Sequence, residues 1–501
     1  MFKNALVSCS DKSGLVEFLK PLQQSGLRIV STGGTSALLK SHGLKIVDVA
    51  EQTGFPEILD GRVKTLNPKI HMALLARLDH PQDEQTLAHY EIEPFDLVVG
   101  NLYPFSSEPN VENIDIGGPS FLRAAAKNYE RITVVCDPSD YEWIAEKKMT
   151  TLEDRLNLAT KLFSHTASYD AMIAAHFSGP KSLASLPHHA IGGELFKTLR
   201  YGENAQQKAL WYKNRGEEQG LHRAKIHQGK ELSYNNLLDL HAAVSTLQNV
   251  SGKSICVAVK HNNPCSAAVH NESETALSNA LKADPVSIFG GVLAVNFLIT
   301  EKMVSELNQL FLECLIAPIY EESALERLSA KKNLRVLSWP ELKNSSRTFN
   351  WRSLLGGYLI QESDAIESAW SHDWTIHGEK PFVETQNDLL LAWQVSASLK
   401  SNAIAIVSDG VTRGLGMGQV NRVDAVEQAI SRCQKFHPNV KNLVLASDAF
   451  FPFPDSIERI AEAGIRWVMQ PGGSVKDQEV ITMAEKLGVN LVMTGKRHFL
   501  H

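Results

Sequence analysis

Two glycines flanked by hydroxyl residues, Ser31-Thr32-Gly33-Gly34-Thr35, form a segment whose residue types suit the binding of an anion. The segment follows an apolar run that predicts a β-strand and precedes a pattern that predicts a helix. Backbone amides of such a segment can converge on a phosphate, and the N-terminus of a helix favours negative charge. The segment matches neither G-x-x-x-x-G-K-[ST] nor G-x-G-x-x-G. A phosphate site and a tight turn between strand and helix are therefore about equally consistent with these residues.

Charged residues follow other predicted strands of the first 130 residues. Ser10-Asp11-Lys12 stands at a strand end, where a parallel sheet presents its ligands, although the same residues could simply cap the next helix. In the segment 61–66, Arg62 and Lys64 lie on the same side if the segment is extended. The alternative for these two cations is a solvated charged edge.

Groups that could transfer protons follow further along. The segment 101–105 contains Tyr103, and the segment 115–119 begins with Asp115 and precedes a helix that carries Arg123 and Lys127. A lysine near a carboxylate and a phenol can exchange protons with them if burial lowers its pKa.

A lysine–histidine pair, Lys260-His261, ends an apolar run in the second half of the chain. Such a histidine can act as a base, although a purely structural histidine is about as frequent at a strand end. The following Pro264-Cys265 suggests a zinc deaminase, which requires H-x-E and P-C-x-x-C. Neither pattern is present, because Asn263 replaces the glutamate and Ser266-Ala267-Ala268 follows Cys265. We therefore expect no catalytic metal.

The elements that must position these residues alternate between strand and helix patterns. Strands are predicted at Asn4–Ser8, Leu27–Ser31 and Leu44–Val49. The Val- and Ile-rich runs Phe95–Leu102 and Arg131–Cys136 are typical of strands covered on both faces. Helical patterns such as Gly14–Gln24 and Thr35–Ser41 separate them, and one or two helices at Thr151–Phe177 are expected to close this domain. This alternation predicts βαβ units on a largely parallel sheet.

A Gly-, Pro- and Ser-rich stretch at 178–193 predicts a domain boundary. Beyond it, strands are predicted at 254–260, 292–295, 403–407, 443–446, 467–469 and 489–493, with helices such as 424–433 and 455–463 between them. A charged stretch, 321–335, is expected to divide this region into two similar α/β lobes.

Composition limits the class of protein. A chain of 501 residues, with 43% hydrophobic and 21% charged residues, is typical of a soluble protein of about three domains. The net charge of -6 gives no overall attraction to nucleic acid or to anionic membranes, and we expect neither as a partner. Six scattered cysteines without a C-x-x-C pair favour a reducing compartment, so a cytoplasmic location is expected.

Six ordered motifs give the chain a family resemblance. They are S-D-K at 10–12, T-G-G-T at 32–35, G-R-V-K-T-L at 61–66, N-L-Y-P-F at 101–105, I-D-I-G-G at 114–118 and R-A-A-A-K-N at 123–128. The chain resembles, over essentially its whole length, the family of bifunctional purine-biosynthesis proteins that join AICAR transformylase and IMP cyclohydrolase. The resemblance implies a methylglyoxal-synthase-like cyclohydrolase domain at 1–190. It also implies a transformylase region at 195–501, made of two cytidine-deaminase-like α/β lobes.

The resemblance implies two reactions in sequence. The formyl group of 10-formyltetrahydrofolate, a co-substrate, passes to the 5-amino group of AICAR, and formyl-AICAR then closes to IMP with loss of water. It also implies a homodimer that shares its transformylase sites.

For ring closure, the resemblance assigns proton transfer to Lys127, with Lys64, Tyr103 and Asp115 nearby. It assigns the nucleotide contacts to Ser10, Lys12, Thr32, Gly33, Gly34, Thr35, Arg62, Thr65, Asn101, Ile116 and Gly117. Both reacting groups belong to one molecule, so holding them in the reactive geometry can supply much of the rate.

For formyl transfer, the resemblance makes His261 the base, with Lys260 assisting at the leaving nitrogen and Asn402 orienting the reacting groups. It assigns the AICAR contacts to Arg200, Tyr201, Asn236, Gly290, Glu313, Arg422, Phe450 and Arg497. It assigns the folate contacts to Phe289, Asp455, Gly473 and Ser474. Two positions depart from the family pattern: Ala205-Gln206-Gln207 replaces the usual Pro-His-Gln, and Ser266 replaces a glycine.

Two other classes of function are considered. Methylglyoxal-synthase-like domains also serve as nucleotide-sensing modules, but a sensor needs phosphate contacts and no set of proton donors. A deaminase on a similar α/β scaffold is disfavoured by the missing zinc ligands.

Overall fold

The computed structural model describes residues 1–147, 149–178, 187–214, 219–344 and 349–501. The chain forms two compact units, Met1–Leu195 with Tyr212–Glu217 and Phe196–Trp211 with Glu218–His501. The predicted boundary at 178–193 is described only in part, because 179–186 lie outside the described residues. Within the described ranges, no helix has both the length and the apolar character needed to cross a membrane.

The first unit is built on a parallel sheet, as the sequence predicts. Its strands are β1 (Asn4–Ser8), β2 (Arg28–Ser31), β3 (Ile46–Asp48), β4 (Leu97–Gly100) and β5 (Thr133–Val135). They lie in the order β3-β2-β1-β4-β5, and every neighbouring pair is parallel. All residues of β4 and β5 are buried, because helices cover both faces of a parallel sheet.

Helices connect these strands. They are α1 (Leu15–Gln24), α2 (Gly33–Ser41), α3 (Val49–Thr53), α4 (Pro68–Leu75), α5 (Pro81–His89), α6 (Gly117–Lys127), α7 (Tyr141–Lys147) and α8 (Leu152–Ser178). In α1, Leu15, Phe18, Leu19 and Leu22 recur at helical spacing and are buried. Helix α2 begins two residues earlier than predicted, so Gly33 and Gly34 form its first turn. The sequence placed the start at Thr35 because glycine disfavours helix.

The second unit contains a mixed sheet of twelve strands among the described residues. They are β8 (Lys225–Gln228), β9 (Ser254–Lys260), β10 (Asn263–His270), β11 (Gly291–Val295), β12 (Leu312–Ala317), β13 (Arg335–Ser338), β16 (Thr375–His377), β17 (Ile404–Ser408), β18 (Val411–Gly416), β19 (Val444–Ser447), β20 (Trp467–Gln470) and β21 (Asn490–Met493). Two hairpins lie outside this sheet: β6 (Gly193–Leu199) with β7 (Ala209–Asn214), and β14 (Asn350–Leu354) with β15 (Gly357–Gln361).

The helices of this unit pack against the mixed sheet. They are α9 (Tyr234–Asn249), α10 (Ser273–Ala283), α11 (Glu301–Leu307), α12 (Glu322–Leu328), α13 (Val383–Ser396), α14 (Arg422–Phe436), α15 (Asp455–Glu462) and α16 (Asp477–Leu487).

The mixed sheet is an internal repeat, which confirms the two predicted α/β lobes. The first lobe runs β8-α9-β9-β10-α10-β11-α11-β12-α12-β13, and the second runs β16-α13-β17-β18-α14-β19-α15-β20-α16-β21. In each lobe the first hairpin and the outermost strand are antiparallel to their neighbours, whereas the last three strands are parallel. The charged stretch 321–335 does not divide the lobes. It contains α12 and the first residue of β13, and its charges belong to the surface of the first lobe.

The two lobes join through strands β10 and β18. Their ladder has a single residue pair, Ala268 with Val411. Helix α14 packs tightly on β18, because a Cβ on Gly414 would lie 2.1 Å from the Ala429 carbonyl oxygen. A side chain at this position would push the helix away from the strand.

Each lobe carries the same two-residue turn in its first hairpin. In the first lobe His261 (φ 54°) and Asn262 (φ 62°) connect β9 to β10, and in the second lobe Asp409 (φ 53°) and Gly410 (φ 70°) connect β17 to β18. Two successive positive φ angles are typical of the type I′ turn, which prefers Asn, Asp and Gly. Asp-Gly in the second lobe matches this preference, whereas His261 departs from it.

Candidate active sites

In the first unit, the Ser10–Lys12 segment is held at the carboxyl ends of β1 and β4. Asn101 Oδ1 accepts the backbone N–H groups of Ser10 (2.7 Å) and Asp11 (2.9 Å), and Asn101 Nδ2 donates to the Asp11 carbonyl (2.8 Å). Lys12 Nζ donates to the Ser10 carbonyl (3.1 Å). The structure therefore brings these three predicted nucleotide contacts together.

The glycine segment presents amides rather than hydroxyls at this edge. Thr32 Oγ1 lies 2.9 Å from Ser8 Oγ, and Thr35 Oγ1 bonds to both the N–H and the carbonyl of Cys9. Both threonines are buried, so their side chains fasten α2 to β1, whereas the glycines are exposed. The groups that face solvent are the first amides of α2, at the positive end of the helix dipole.

The segment around Lys64 forms turns, so the extended conformation considered for it is wrong. Gly61 adopts φ 80°, and the Lys64 N–H donates back to the Gly61 carbonyl (3.3 Å). Arg62 and Lys64 consequently separate: Arg62 is exposed and pairs with Glu112, whereas Lys64 is half-buried. A Cβ on Gly33 would lie 2.9 Å from Lys64 Nζ, so the ammonium group covers the start of α2.

Glu57 belongs to this group, although we did not single it out from the sequence. Its Oε1 lies 3.7 Å from Lys64 Nζ. Both side chains line a cavity of about 770 Å³ that also reaches Thr32 and Gly33. In the sequence, the only indication of this contact is that Glu57 is an acidic residue seven positions before Lys64. The turns between the two residues bring their side chains together.

Asp115 and Tyr103 lie near the start of α6 and interact with each other. Burial raises the pKa of the Asp115 carboxyl, while the Gly118 N–H, which donates to Oδ1 (2.7 Å), and Lys64 lower it. Burial, followed by the charges of Asp115 and Glu57, raises the pKa of the Tyr103 phenol. These groups form one electrostatic cluster, as expected of groups that exchange protons.

Two further predicted contacts stand at the N-terminus of α6. Ile116 precedes the helix and is exposed. A Cβ on Gly117 would lie 2.7 Å from Thr65 Oγ1, so a glycine is needed for the buried Thr65 to approach the helix.

Lys127 lies apart from this cluster. It is exposed in the last turn of α6, whose 11 residues place it about 15 Å along the axis from Gly117. There it lines a different cavity, of about 510 Å³, with Arg123, Tyr129 and Phe163. The resemblance gives a role to Lys127 but no distance from Asp115, whereas a helix between the two residues holds them apart.

In the second unit, the turn between β9 and β10 exposes His261. Lys260 Nζ donates to the Phe289 carbonyl. Asp239 Oδ1, from α9, accepts the Asn262 N–H (2.6 Å), and burial raises the pKa of this carboxyl, while the Asn262 amide and the His261 charge lower it. Asp239 carries no local motif, so sequence reasoning missed it.

The second lobe has the equivalent carboxylate. Asp239 is the sixth residue of α9, and Asp388 is the sixth residue of α13. Asp388 accepts the N–H groups of Asp409 (2.9 Å) and Gly410 (2.7 Å). In both lobes, therefore, a carboxylate of the preceding helix binds the amides of the hairpin turn.

Asn236 and Glu313 meet beside Asp239. Asn236 is buried in the first turn of α9, where it forms a capping box with Ser233, and its Nδ2 donates to Glu313 Oε2 (2.6 Å). The Glu313 charge raises the pKa of Asp239. Two predicted AICAR contacts are thus brought together within the first lobe.

Asn402 lies on a segment fastened to the His261 turn. Lys400 N–H donates to Asn263 Oδ1 (3.2 Å). Asn402 Nδ2 itself donates to the Gln419 carbonyl (2.7 Å), so its side chain is held in place.

Arg422 is buried rather than exposed. Its Nη1 pairs with Asp448 and also donates to the Ala403 carbonyl (3.3 Å). The charge of Arg422 is therefore balanced inside the protein, and its predicted contact with a phosphate stays a prediction.

Other predicted ligands are more exposed. Gly290, with φ 74°, donates its N–H to the Phe311 carbonyl (2.7 Å), and the Phe289 ring packs 5.3 Å from that of Phe311. Arg200 stacks on Tyr201 at 5.6 Å, and Arg497, which is exposed, stacks on Phe499 at 4.9 Å. Phe450 is half-buried after β19.

The remaining predicted folate contacts lie in the second lobe, at the start of α15 and in the loop between β20 and α16. Asp455 begins α15 and is exposed. The Gly473 N–H donates to Asp477 Oδ2 (2.7 Å), and Ser474 Oγ accepts the Lys476 N–H (3.1 Å). In the part of the chain that the structure describes, no group of three or more His, Cys, Asp or Glu side chains could hold a metal ion.

Comparisons with known proteins match both units. Residues 125–432 match the family described as AICARFT/IMPCHase bienzyme, and residues 14–128 match the MGS-like domain. The bifunctional purine biosynthesis protein PurH of Aquifex aeolicus is 42% identical, with 99% of this chain and all of that protein covered. The proteins of the same name from Thermoanaerobacter sp. and Lactococcus lactis subsp. cremoris are each 44% identical, with all of both chains covered.

The raised pKa of Asp115 predicts that its charge reduces stability. A raised pKa means that the folded chain resists ionisation, so the cost exists at neutral pH and vanishes below about 3.9, where unfolded aspartate is also protonated. Asp115→Asn should therefore raise the melting temperature of the first unit by roughly 2 °C at pH 7. The gain should shrink as the pH falls toward about 4, as measured by scanning calorimetry.

Asp11 provides a control of opposite sign. The Ser13 hydroxyl and amide lower its pKa, so its ionised form adds stability at neutral pH and Asp11→Asn should not raise the melting temperature. A gain for Asp115→Asn that is independent of pH would contradict the electrostatic explanation.

Proposed function

The chain belongs to the AICARFT/IMPCHase bienzyme family, and we propose how its two units divide the reactions of that family. The enzyme transfers the formyl group of its co-substrate 10-formyltetrahydrofolate to the 5-amino group of AICAR, and then cyclises formyl-AICAR to IMP with loss of water. The observation that carries this function is similarity over the whole length to bifunctional proteins, at 42–44% identity. Residues 1–190 are assigned the cyclisation and residues 195–501 the formyl transfer.

In the cyclisation, the first unit binds the nucleotide phosphate and moves protons. The exposed amides of Gly33 and Gly34, together with Lys12 and Lys64, suit the phosphate, because cations and a helix N-terminus both favour an anion. The carboxamide nitrogen attacks the formyl carbon, and the oxygen that becomes anionic must gain protons before it leaves as water. Lys64, Tyr103 and Asp115 supply and accept these protons.

In the formyl transfer, His261 accepts a proton from the 5-amino group as that nitrogen attacks the formyl carbon. The N10–formyl bond breaks, and N10 of the folate gains a proton with assistance from Lys260. Asn402 orients the reacting groups. The exposure of His261 and the hydrogen bonds that hold its turn support this assignment, because a base must reach its substrate in a fixed position.

The assembly and the location are also part of the proposal. A homodimer accounts for Arg200 and Arg497, whose exposed guanidinium groups suit a transformylase site shared between two copies. All six cysteines are free, which supports a reducing compartment such as the cytoplasm.

Two variants separate the reactions. His261→Ala should lower the rate of formyl-AICAR formation by about 100-fold or more while IMP formation from supplied formyl-AICAR is kept. Lys64→Met should do the reverse, because it removes only a cation of the first unit. Each reaction is followed separately in full-length protein, and the retained activity shows that each variant is folded. Loss of both activities in one folded variant would contradict the division.

Lys127 needs its own test, because it lies at the far end of α6 from Asp115. If it transfers a proton during ring closure, Lys127→Ala should slow IMP formation by at least about tenfold without affecting formyl transfer. Arg123→Ala is the matched control, since Arg123 is an exposed cation that lines the same cavity. Equal rates in the two variants would remove Lys127 from the proton-transfer group.

The repeated carboxylates allow a test of how His261 is positioned. Asp239→Ala leaves the Asn262 N–H without its acceptor, so kcat for formyl transfer should fall by up to about 100-fold, since small misplacements of a base are costly. The KM for AICAR and the IMP-forming activity should change little. Asp239→Asn retains a carbonyl oxygen as acceptor and should restore part of kcat.

Asp388→Ala is the control for this variant. It removes the same interaction from the hairpin turn of the second lobe, so it should lower stability without lowering kcat. If both alanine variants lowered kcat equally, the effect of Asp239→Ala would be explained by lost stability, and Asp239 would have no specific role in positioning His261.

A further inference from the structure

A buried tyrosine of α8, Tyr169, contacts the segment that carries Asp115 in the first unit. The side chain is 1% exposed. Its hydroxyl accepts the backbone N–H of Asp115 (2.9 Å) and donates to the Asn113 carbonyl (3.1 Å). One oxygen atom thus binds two backbone groups of the segment that leads into α6. The sequence gives no indication of this contact, because 54 positions separate Tyr169 from Asp115.

The segment that carries Tyr103 packs against the same tyrosine. Phe105 is buried, and its ring meets that of Tyr169 edge-on, with 6.5 Å between the centroids. The Phe105 N–H donates to the Tyr103 carbonyl (2.8 Å), which joins the two residues in a tight turn. Tyr103 itself is half-exposed. Its position therefore depends on the buried Phe105 and, through that ring, on Tyr169.

The carboxylate of Asp115 is oriented by other groups. Hydrogen bonds from the Gly118 N–H (2.7 Å) and from the Tyr103 backbone lower the pKa of the Asp115 carboxyl, against the larger effect of burial, which raises it. Gly118 belongs to the first turn of α6. The side chain of Asp115 is thus held by α6 and by the Tyr103 segment, while Tyr169 holds its backbone.

The hydroxyl of Tyr169 determines whether this arrangement can stay in place. The two backbone groups that it binds are partly buried. Without the hydroxyl, the Asp115 N–H would lose its acceptor and the Asn113 carbonyl would lose a donor. Buried polar groups without partners cost stability, so the segment would have to move toward water. Asp115 would then no longer be fixed relative to Tyr103.

We propose that Tyr169 is a positioning residue for ring closure, whose hydroxyl and ring hold Asp115 and Tyr103 in the arrangement that transfers protons to and from the substrate. The inference rests on the proposed function, which assigns ring closure to the first unit. Tyr169 is buried and bonds to backbone groups, so it acts through the two segments and not by touching the nucleotide.

The test is Tyr169→Phe in the full-length protein, which removes the hydroxyl and keeps the ring. For supplied formyl-AICAR, kcat of IMP formation should fall by about tenfold, because small displacements of a proton-transferring group are costly. The KM for formyl-AICAR should change by less than about twofold, since the groups proposed to bind the phosphate belong to other segments. Formyl transfer to AICAR should be unchanged.

Tyr141→Phe is the matched control. Tyr141 is another buried tyrosine of the first unit, and its hydroxyl interacts with Cys9, away from Asn113 and Asp115. Each variant loses a buried hydroxyl contact, so calorimetry should show a lower melting temperature for both. Only Tyr169→Phe should lower kcat for ring closure, because only its hydroxyl binds the segment that carries Asp115.

Four results would overturn the positioning role. They are an unchanged kcat in a folded Tyr169→Phe variant, an equal loss of kcat in both tyrosine variants, a raised KM without a fall in kcat, and a Tyr169→Phe variant that does not fold. The last result would make the hydroxyl a requirement of the fold alone. A wild-type protein that did not convert formyl-AICAR to IMP would instead contradict the proposed function.

Discussion

The second unit depends on a carboxylate that binds the backbone amides of a two-residue turn. Positive φ angles are unfavourable for residues with a Cβ, so the turn at His261 and Asn262 needs an interaction that stabilises it. Asp239 supplies that interaction from α9. The hydrogen bonds from Lys260 Nζ to the Phe289 carbonyl and from the Lys400 N–H to Asn263 Oδ1 then fix the surroundings of the same turn. The base is exposed and yet held by a rigid sheet.

In the first unit, the N-terminal ends of two helices position the groups of the candidate site. The amides of Gly33 and Gly34 and the carboxylate of Asp115 stand at the starts of α2 and α6, next to the ends of the parallel strands. Lys64 is brought between them by turns rather than by regular structure, and Gly33 and Gly117 allow the close approach. Cations and proton-transferring groups consequently occupy one small region, where Lys64 lowers the pKa of Asp115 and the charge of Asp115 raises the pKa of Tyr103.

Features that depend on neighbouring residues in the sequence were predictable, whereas those that depend on contacts between distant segments were not. Strand β1 was predicted with its observed bounds, because a short apolar run is a local signal. The extended conformation around Lys64 was wrong, since positive φ angles at Leu59 to Gly61 leave no trace in the charge pattern. Likewise, nothing near Arg422 in the sequence indicates its burial against Asp448. Asp239 and Glu57 are not identified from the sequence, because each gains its role from a segment that only folding brings near.

The internal repeat of the second unit separates two requirements that usually conflict: a stable backbone in the hairpin turn and a reactive side chain at its tip. A duplicated hairpin gives the sheet two copies of one turn, and only one of them has to carry a reactive side chain. The Asp409-Gly410 copy keeps the residues that the backbone prefers, while the His261-Asn262 copy accepts a less favourable backbone in exchange for a histidine at its tip. Gene duplication followed by divergence would produce this pattern. One copy of the turn would keep the residues that its backbone favours, and the other copy would be free to gain a catalytic side chain.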